Sequence, residues 1–426
     1  MLNKIDNFLS KYIHLIIGLF IILQPILDVI AGINQHFFQV NIELNIIFRI
    51  IFLLFCILFT IFINKTKYKR ISLIYLGIIF IYSICFIAIT IYQKDMSVLF
   101  YELKNLVLAF YFPILLISFL NLFEQYKINF SIKYLVYAFI LYILFISIPN
   151  LTGTCFESYT QGKVGNSGWF NSANAISSII SILLPFIIIY LTKNKKISYL
   201  FLILLFLYSI LSLGTKVPLL SLIIITFMNI IYLIIKLWKK NDYKKISLIV
   251  STVVIVIIGL ILIIPRTSFY KNIKIHAEFL GIESVSSIFT NIHYIDRFIF
   301  SDRLTFLSNT KKVYDKSSII EKTFGIGYIE NYATDEVSTK MIEIDYFDIL
   351  FRHGIIGFVI FFMPIIILTY QYLRKYKNNF YNLNVLTSIL LIYVLALFSG
   401  HIFNVPSVSI FVAIILNFGY FRNNQI

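Results

Sequence analysis

The chain is short of charge: only 13% of its 426 residues are Asp, Glu, Lys or Arg, about half of the roughly 25% carried by soluble domains. With 59% hydrophobic residues and a mean hydropathy of +0.89, that shortage excludes a soluble fold. Acid is the scarcer sign, with 20 acidic residues against 36 basic ones. Cysteine is rarer still. Cys56, Cys85 and Cys155 are too few and too scattered for a disulfide framework. A phosphate-cradling nucleotide loop is also missing, because Gly325-Ile326-Gly327 lacks a following Walker-type lysine and a strand-to-helix context. No internal repeat and no low-complexity tail are visible.

What the chain has is long apolar runs. A helix rises 1.5 Å per residue, so about 20 apolar residues cross a hydrocarbon core of roughly 30 Å. Twelve such segments are expected, near 12–34, 44–64, 71–92, 99–122, 133–149, 173–192, 197–213, 218–237, 246–264, 346–370, 382–399 and 403–421. The first is too long for the apolar core of a signal peptide, contains Pro25 and Asp28, and is followed by no small-residue cleavage site. The expected fold is therefore all-α, a polytopic membrane bundle. It divides into helices one to nine (1–264), an extracytoplasmic loop (265–345) and helices ten to twelve (346–426).

The net charge of +16 is explained by where it lies. With the N-terminus in the cytoplasm, the inward loops and termini hold 20 basic residues against Asp6, Glu124 and Asp242, and the rest of the chain is almost neutral. Confinement of Lys and Arg to alternate loops is the positive-inside pattern. Both termini then face the cytoplasm, and a nucleic-acid partner is unnecessary.

Polarity concentrates in one place. The run Arg266–Gly357 holds 12 of the 20 acidic residues. It is rich in Ile, Phe and Tyr, which argues against a disordered linker and for a segment folded on the membrane surface. Apolar residues at Ile299, Phe306 and Val313, with Leu304 and Leu307 beside them, predict an amphipathic helix over 302–315 capped by Ser301, with Arg303, Lys311 and Lys312 on its polar side and Arg297 just ahead. Glu343, Asp345 and Asp348 then enter an apolar helix, where a charge costs on the order of 2.5–3.5 kcal/mol. One of them is expected to pair with a loop arginine, and Glu343 or Asp345 is the candidate general base.

Smaller signals lie elsewhere. Asp28 and Arg49 are placed to pair between the first two spans, or to face a substrate. Tyr101, Glu102, Lys104 and Asn105 suggest an interfacial anchor. Asn171 and Asn174, beside Trp169 at the start of the sixth span, suit either a helix cap or a glycan-facing edge. Lys216 breaks the charge rule at the head of the eighth span, where helix amides already attract anions.

Twelve spans, a large outer loop between the ninth and tenth, the arginine of Ser301-Asp302-Arg303, the Gly325-Ile326-Gly327 turn and the Gly354-x-x-Gly357 entry together resemble the O-antigen ligase and O-antigen polymerase superfamily. The resemblance implies a GT-C type helical fold and transfer of a glycan from an undecaprenyl diphosphate carrier to an acceptor hydroxyl of a glycan or lipid. That reaction runs at the outer face of the plasma membrane without metal or other cofactor. It further implies that Arg303 matches the family's loop arginine, and that Lys216 stands where arginine is common. Lys216, Arg303, Arg297 and Arg266 would hold the diphosphate. The ligases carry a His-Asn pair eleven residues before the first glycine of Gly-x-x-Gly. Here that position is Glu343-Ile344, so Glu343 or Asp345 would take the histidine's place. Polymerase and ligase remain open alternatives, and a lipid-linked oligosaccharide flippase is the rival from another class.

Overall fold

The computed structural model describes residues 2–39, 44–94, 96–128, 130–158, 165–194, 198–263, 265, 268–281, 292–328 and 341–422. They form a helical bundle: α1 (Leu2–Phe37), α2 (Leu44–Leu58), α3 (Lys69–Lys94), α4 (Leu99–Gln125), α5 (Ile132–Thr152), α6 (Ala173–Asn194), α7 (Ser198–Ser212), α8 (Val217–Trp238) and α9 (Tyr243–Ile263). The polar region contributes α10 (Ser268–Phe279), α11 (Ile292–Ile295), α12 (Arg303–Lys316) and α13 (Ile319–Phe324). The chain then returns to apolar helices, α14 (Asp345–Arg374), α15 (Phe380–Phe398) and α16 (Pro406–Arg422). Two short antiparallel strands, β1 (Phe156–Glu157) and β2 (Asn166–Gly168), pin the loop between α5 and α6.

Among the described residues, nine helices are long and apolar enough to cross a membrane, namely α1 to α6, α8, α14 and α15, and shorter apolar helices lie in α7 and α16. The chain is thus an all-α, multi-pass membrane protein. Helices α4, α6 and α16 are buried around most of their circumference and form the centre of the bundle. The outward faces of α2, α3, α8 and α9 leave Ile51, Phe80, Ile223 and Leu248 at 60–67% exposure. Such a surface is untenable in water and ordinary in lipid, where helices satisfy their own backbone.

Two ion pairs lie inside the bundle. Arg49 of α2 meets Asp28 of α1 at 2.6 Å, its Nε donates to Gln24, and Tyr142 donates to the other Asp28 oxygen. A second pair corrects the reading of Glu102 as an interfacial anchor. Its carboxylate is fully buried, 2.9 Å from Lys94, and accepts the backbone N–H of Tyr328. Only Tyr101 and Lys104 of that stretch stay exposed.

One end of the bundle carries the site. Ser158 donates to the Leu213 carbonyl, Lys216 to the Phe298 carbonyl and Arg303 to the Phe398 carbonyl, so the α5–α6 connection meets the α7–α8 connection, which like the α15–α16 connection meets the polar region there. The expected tenth span is not one continuous helix. Gly354 breaks α14 at φ 65°, ψ −175°. A β-carbon at Gly354 would lie 2.4 Å from the Thr323 carbonyl oxygen, so a bare backbone is what lets the end of α13 dock at the break.

Candidate active site

Helix α12 falls where the apolar spacing predicts, but it is neither capped nor oriented as expected. The N-cap is Asp302 rather than Ser301, both adopt left-handed backbone, and the Asp302 side chain does not cap the helix. Asp296 does so from upstream, accepting the N–H groups of Leu304 at 2.8 Å and Thr305 at 2.9 Å, and the Thr305 hydroxyl at 2.7 Å. The double left-handed turn sends Arg303 inward rather than onto the polar face, leaving it 7% exposed. Its Nη1 donates to the Phe398 carbonyl and its Nη2 to Glu343 Oε2, each at 2.9 Å.

Glu343 is held from beneath. The Asp348 carboxylate accepts the N–H groups of Ile342 at 2.9 Å and Glu343 at 2.8 Å, fixing a left-handed φ of 61° at Glu343. Asp345 does different work. Its carboxylate accepts three backbone N–H groups, from His401 at 3.0 Å and from Ile402 and Phe403 at 2.8 Å. That grip brings the α15–α16 connection over the start of α14. Gly400 then lies on Glu343, so close that a β-carbon there would sit 2.2 Å from the Glu343 carbonyl oxygen. The result places His401 Nε2 at 3.7 Å from Glu343 Oε2, a charge contact rather than a hydrogen bond.

Left-handed backbone at Ser301, Asp302, Glu343, Gly400 and His401 therefore surrounds one pair of side chains. Each non-glycine residue in that conformation costs on the order of 1 kcal/mol, and such costs cluster where a structure holds functional groups in place.

A cavity of about 480 Å³ opens here, walled by Asn174, Lys216, His276, Ser301, Arg303, Glu343 and apolar neighbours including Leu220, Ile299 and Phe398. Lys216 is the N-cap of α8, and Val217-Pro218 opens the helix with a proline that needs no N–H partner. Its ammonium donates to the Phe298 carbonyl at 2.5 Å and lies 3.8 Å from the Phe298 ring centre. His276 of α10 stacks on the same ring, with the ring centres 5.2 Å apart.

Electrostatics follow from this packing. Burial alone would raise the Glu343 carboxyl, but the His401 imidazole and the Arg303 guanidinium outweigh it and hold the group at about 2. Burial would lower His401, yet Glu343 and Asp345 keep it above its ordinary 6.5 against opposition from Arg303. At neutral pH the carboxylate is ionised and the imidazole is the group that can change charge.

Of the residues singled out in the sequence, Lys216, Arg303, Glu343 and Asn174 thus meet at one cavity. Asp345 is taken up by backbone amides next door, Asn171 is exposed beside Gly32 of α1, and Arg297 is 62% exposed, facing Asp302 at 3.5 Å. Arg266 lies outside the described residues. His276 and His401 were not singled out. The only trace of His401 was Ser399-Gly400-His401, a polar break between the last two apolar runs.

The Gly325-Ile326-Gly327 turn is a brace for this end of the bundle. Ile326 and Gly327 donate to the Phe351 and Arg352 carbonyls beside the α14 break, and Arg352 Nη1 returns a hydrogen bond to the Gly327 carbonyl. Gly327 also lies directly on the Lys94–Glu102 pair, where a β-carbon would come within 2.6 Å of the lysine nitrogen.

A family model described as O-antigen ligase like membrane protein matches residues 10–288 and 291–420. No curated protein matches the chain.

Proposed function

From the premise that the chain belongs to the O-antigen ligase-like family of membrane proteins, we propose that it is a glycosyltransferase moving oligosaccharide from undecaprenyl diphosphate to an acceptor hydroxyl. The reaction runs at the outer face of a bacterial plasma membrane, with twelve crossings and both termini in the cytoplasm. The observation that carries this reading is the convergence of Lys216 and Arg303 on one cavity that has Glu343 in its wall. Two cations and one carboxylate suit a reaction that expels a diphosphate and removes a proton.

Lys216 and Arg303 bind the diphosphate and stabilise the charge that develops as the anomeric bond breaks. The amides at the head of α8 add to that field. Arg303 Nε is buried with no hydrogen-bond partner, an unpaired donor on a cavity-lining guanidinium that a phosphate oxygen would satisfy. Lysine at 216 gives charge without a bidentate fork, so orientation of the diphosphate falls mainly to Arg303. These side chains supply the positive charge themselves, and the proposed reaction is metal-independent.

Glu343 stands at the cavity to receive the acceptor's proton, whereas the Asp345 carboxylate already accepts three hydrogen bonds and holds a loop. Apolar Leu220, Ile299 and Phe398 line the same space and suit a polyprenyl chain approaching from the bilayer. Asn174 suits the glycan. The transport alternative leans on Asp28 and Arg49, and those two close on each other, Gln24 and Tyr142.

The test is reconstitution of the purified protein with lipid-linked oligosaccharide extracted from the cells that make it. Glycan growth or transfer with release of undecaprenyl diphosphate is expected, falling by about 10²–10³-fold in Arg303→Ala. Undiminished transfer by that variant would remove the assignment.

A further inference from the structure

We infer that His401, reaching the cavity through Glu343, is the positioning residue that stores the acceptor's proton during transfer. This deepens the glycosyl-transfer reading and rests on it.

Glu343 lies between a guanidinium and an imidazole. Glu343 Oε2 accepts from Arg303 at 2.9 Å and faces His401 Nε2 at 3.7 Å, so its negative charge is heavily stabilised. A group so stabilised holds a proton poorly, and catalysis by proton transfer is most efficient when the base titrates near the working pH. Glu343 alone is therefore a relay in need of a sink.

Three other histidines are taken up by different contacts. Both ring nitrogens of His353 are engaged, by Tyr82 at 3.3 Å and Tyr328 at 2.7 Å, and the side chain is fully buried. His276 lines the cavity but stacks on Phe298. His36 stacks on Phe156. His401, by contrast, stands 3.7 Å from a cavity-wall carboxylate.

The fold fixes it there by unusual means. Three amides on Asp345, a left-handed φ of 60° at His401 itself and the close seat of Gly400 on Glu343 all serve to place this one imidazole. The charged groups that face it are Glu343, Asp345 and Arg303. Its side chain remains 24% exposed, which gives the proton a way out to water.

The acceptor oxygen forms its bond to the anomeric carbon as the bond from that carbon to the diphosphate oxygen breaks, and the electron pair leaves with the diphosphate. The acceptor's proton passes to Glu343 Oε2 and on to Nε2 of His401, which begins neutral and ends as imidazolium. Water then takes the proton. A closure of less than about 1 Å brings Nε2 and Oε2 within hydrogen-bond range.

The experiment is the pH profile of transfer by the purified full-length protein, with extracted lipid-linked oligosaccharide as donor. The wild-type rate is expected to rise with pH through one ionisation above 6.5. His401→Gln is expected to lose that rise and about 10²-fold of the plateau rate in protein that is still folded at the assay temperature. Arg303→Ala loses rate yet keeps an ionisation limb. Wild-type protein whose rate falls with rising pH overturns the inference without any variant. So does His401→Gln with wild-type rate and profile while Arg303→Ala is impaired, and this outcome leaves the glycosyl-transfer reading intact. If Arg303→Ala is also unimpaired, that reading fails and takes the inference with it.

Discussion

Breaking the Arg303–Glu343 pair separates what the site does for stability from what it does for chemistry. Carrying the Glu343 carboxyl from its ordinary 4.5 to about 2 corresponds to about 3 kcal/mol of preference for the charged form. His401 and Arg303 share that preference, so Arg303 accounts for about 1–2 kcal/mol of it. The Glu343 side chain is 26% exposed, which keeps solvent screening modest. Arg303→Ala leaves a partly buried carboxylate without its guanidinium and should destabilise the protein. Glu343→Gln in the same chain removes the stranded charge. The double variant should therefore be more stable than additivity predicts, by about 1–2 kcal/mol. Its transfer activity, by contrast, should stay at or below that of either single variant. Equilibrium unfolding in mixed micelles measures the first quantity and reconstituted transfer the second. Strict additivity in stability would refute the coupling. Recovered activity in the double variant would refute the assignment of both residues to the reaction.

Acid should unfold the site before the rest of the bundle. Because the Glu343 value is depressed, its contribution is fully present above 4.5 and is lost as pH falls toward 2, which the unfolding midpoint in acid should report for wild type and not for Glu343→Gln. Gly400→Ala puts a β-carbon 2.2 Å from the Glu343 carbonyl oxygen at a left-handed φ of 62°. It should cost about 1–3 kcal/mol and displace His401, visible as a lower melting temperature with loss of transfer. Arg49→Met strands Asp28 inside the bundle and should cost up to about 3–5 kcal/mol, with activity per folded molecule unchanged. Lost activity in fully folded Arg49→Met would return that pair to the list of substrate-facing groups.

The parts of the site legible in the sequence are those whose signal is local. Apolar runs gave the helices, the charge rule singled out Lys216, and helical spacing after a polar break placed α12. Orientation was not local. Arg303 turns inward because Ser301 and Asp302 are left-handed and Asp296 caps from eight and nine residues away, none of which periodicity encodes. Glu102 read as surface because its covering, the turn at Gly327 and Tyr328, lies more than two hundred residues downstream. His401 was invisible for the same reason. It reaches Glu343 only through the grip of Asp345 on residues 401–403, a contact made across α15.

The most direct test of the central claim is photo-crosslinking of the full-length protein in nanodiscs with undecaprenyl diphosphate bearing a photoreactive group near the phosphates. Labelled peptides containing Lys216 or Arg303 are expected, with labelling abolished by excess unmodified undecaprenyl diphosphate and weakened in Arg303→Ala. Labelling confined to other peptides, or labelling at these that excess carrier does not displace, would contradict it.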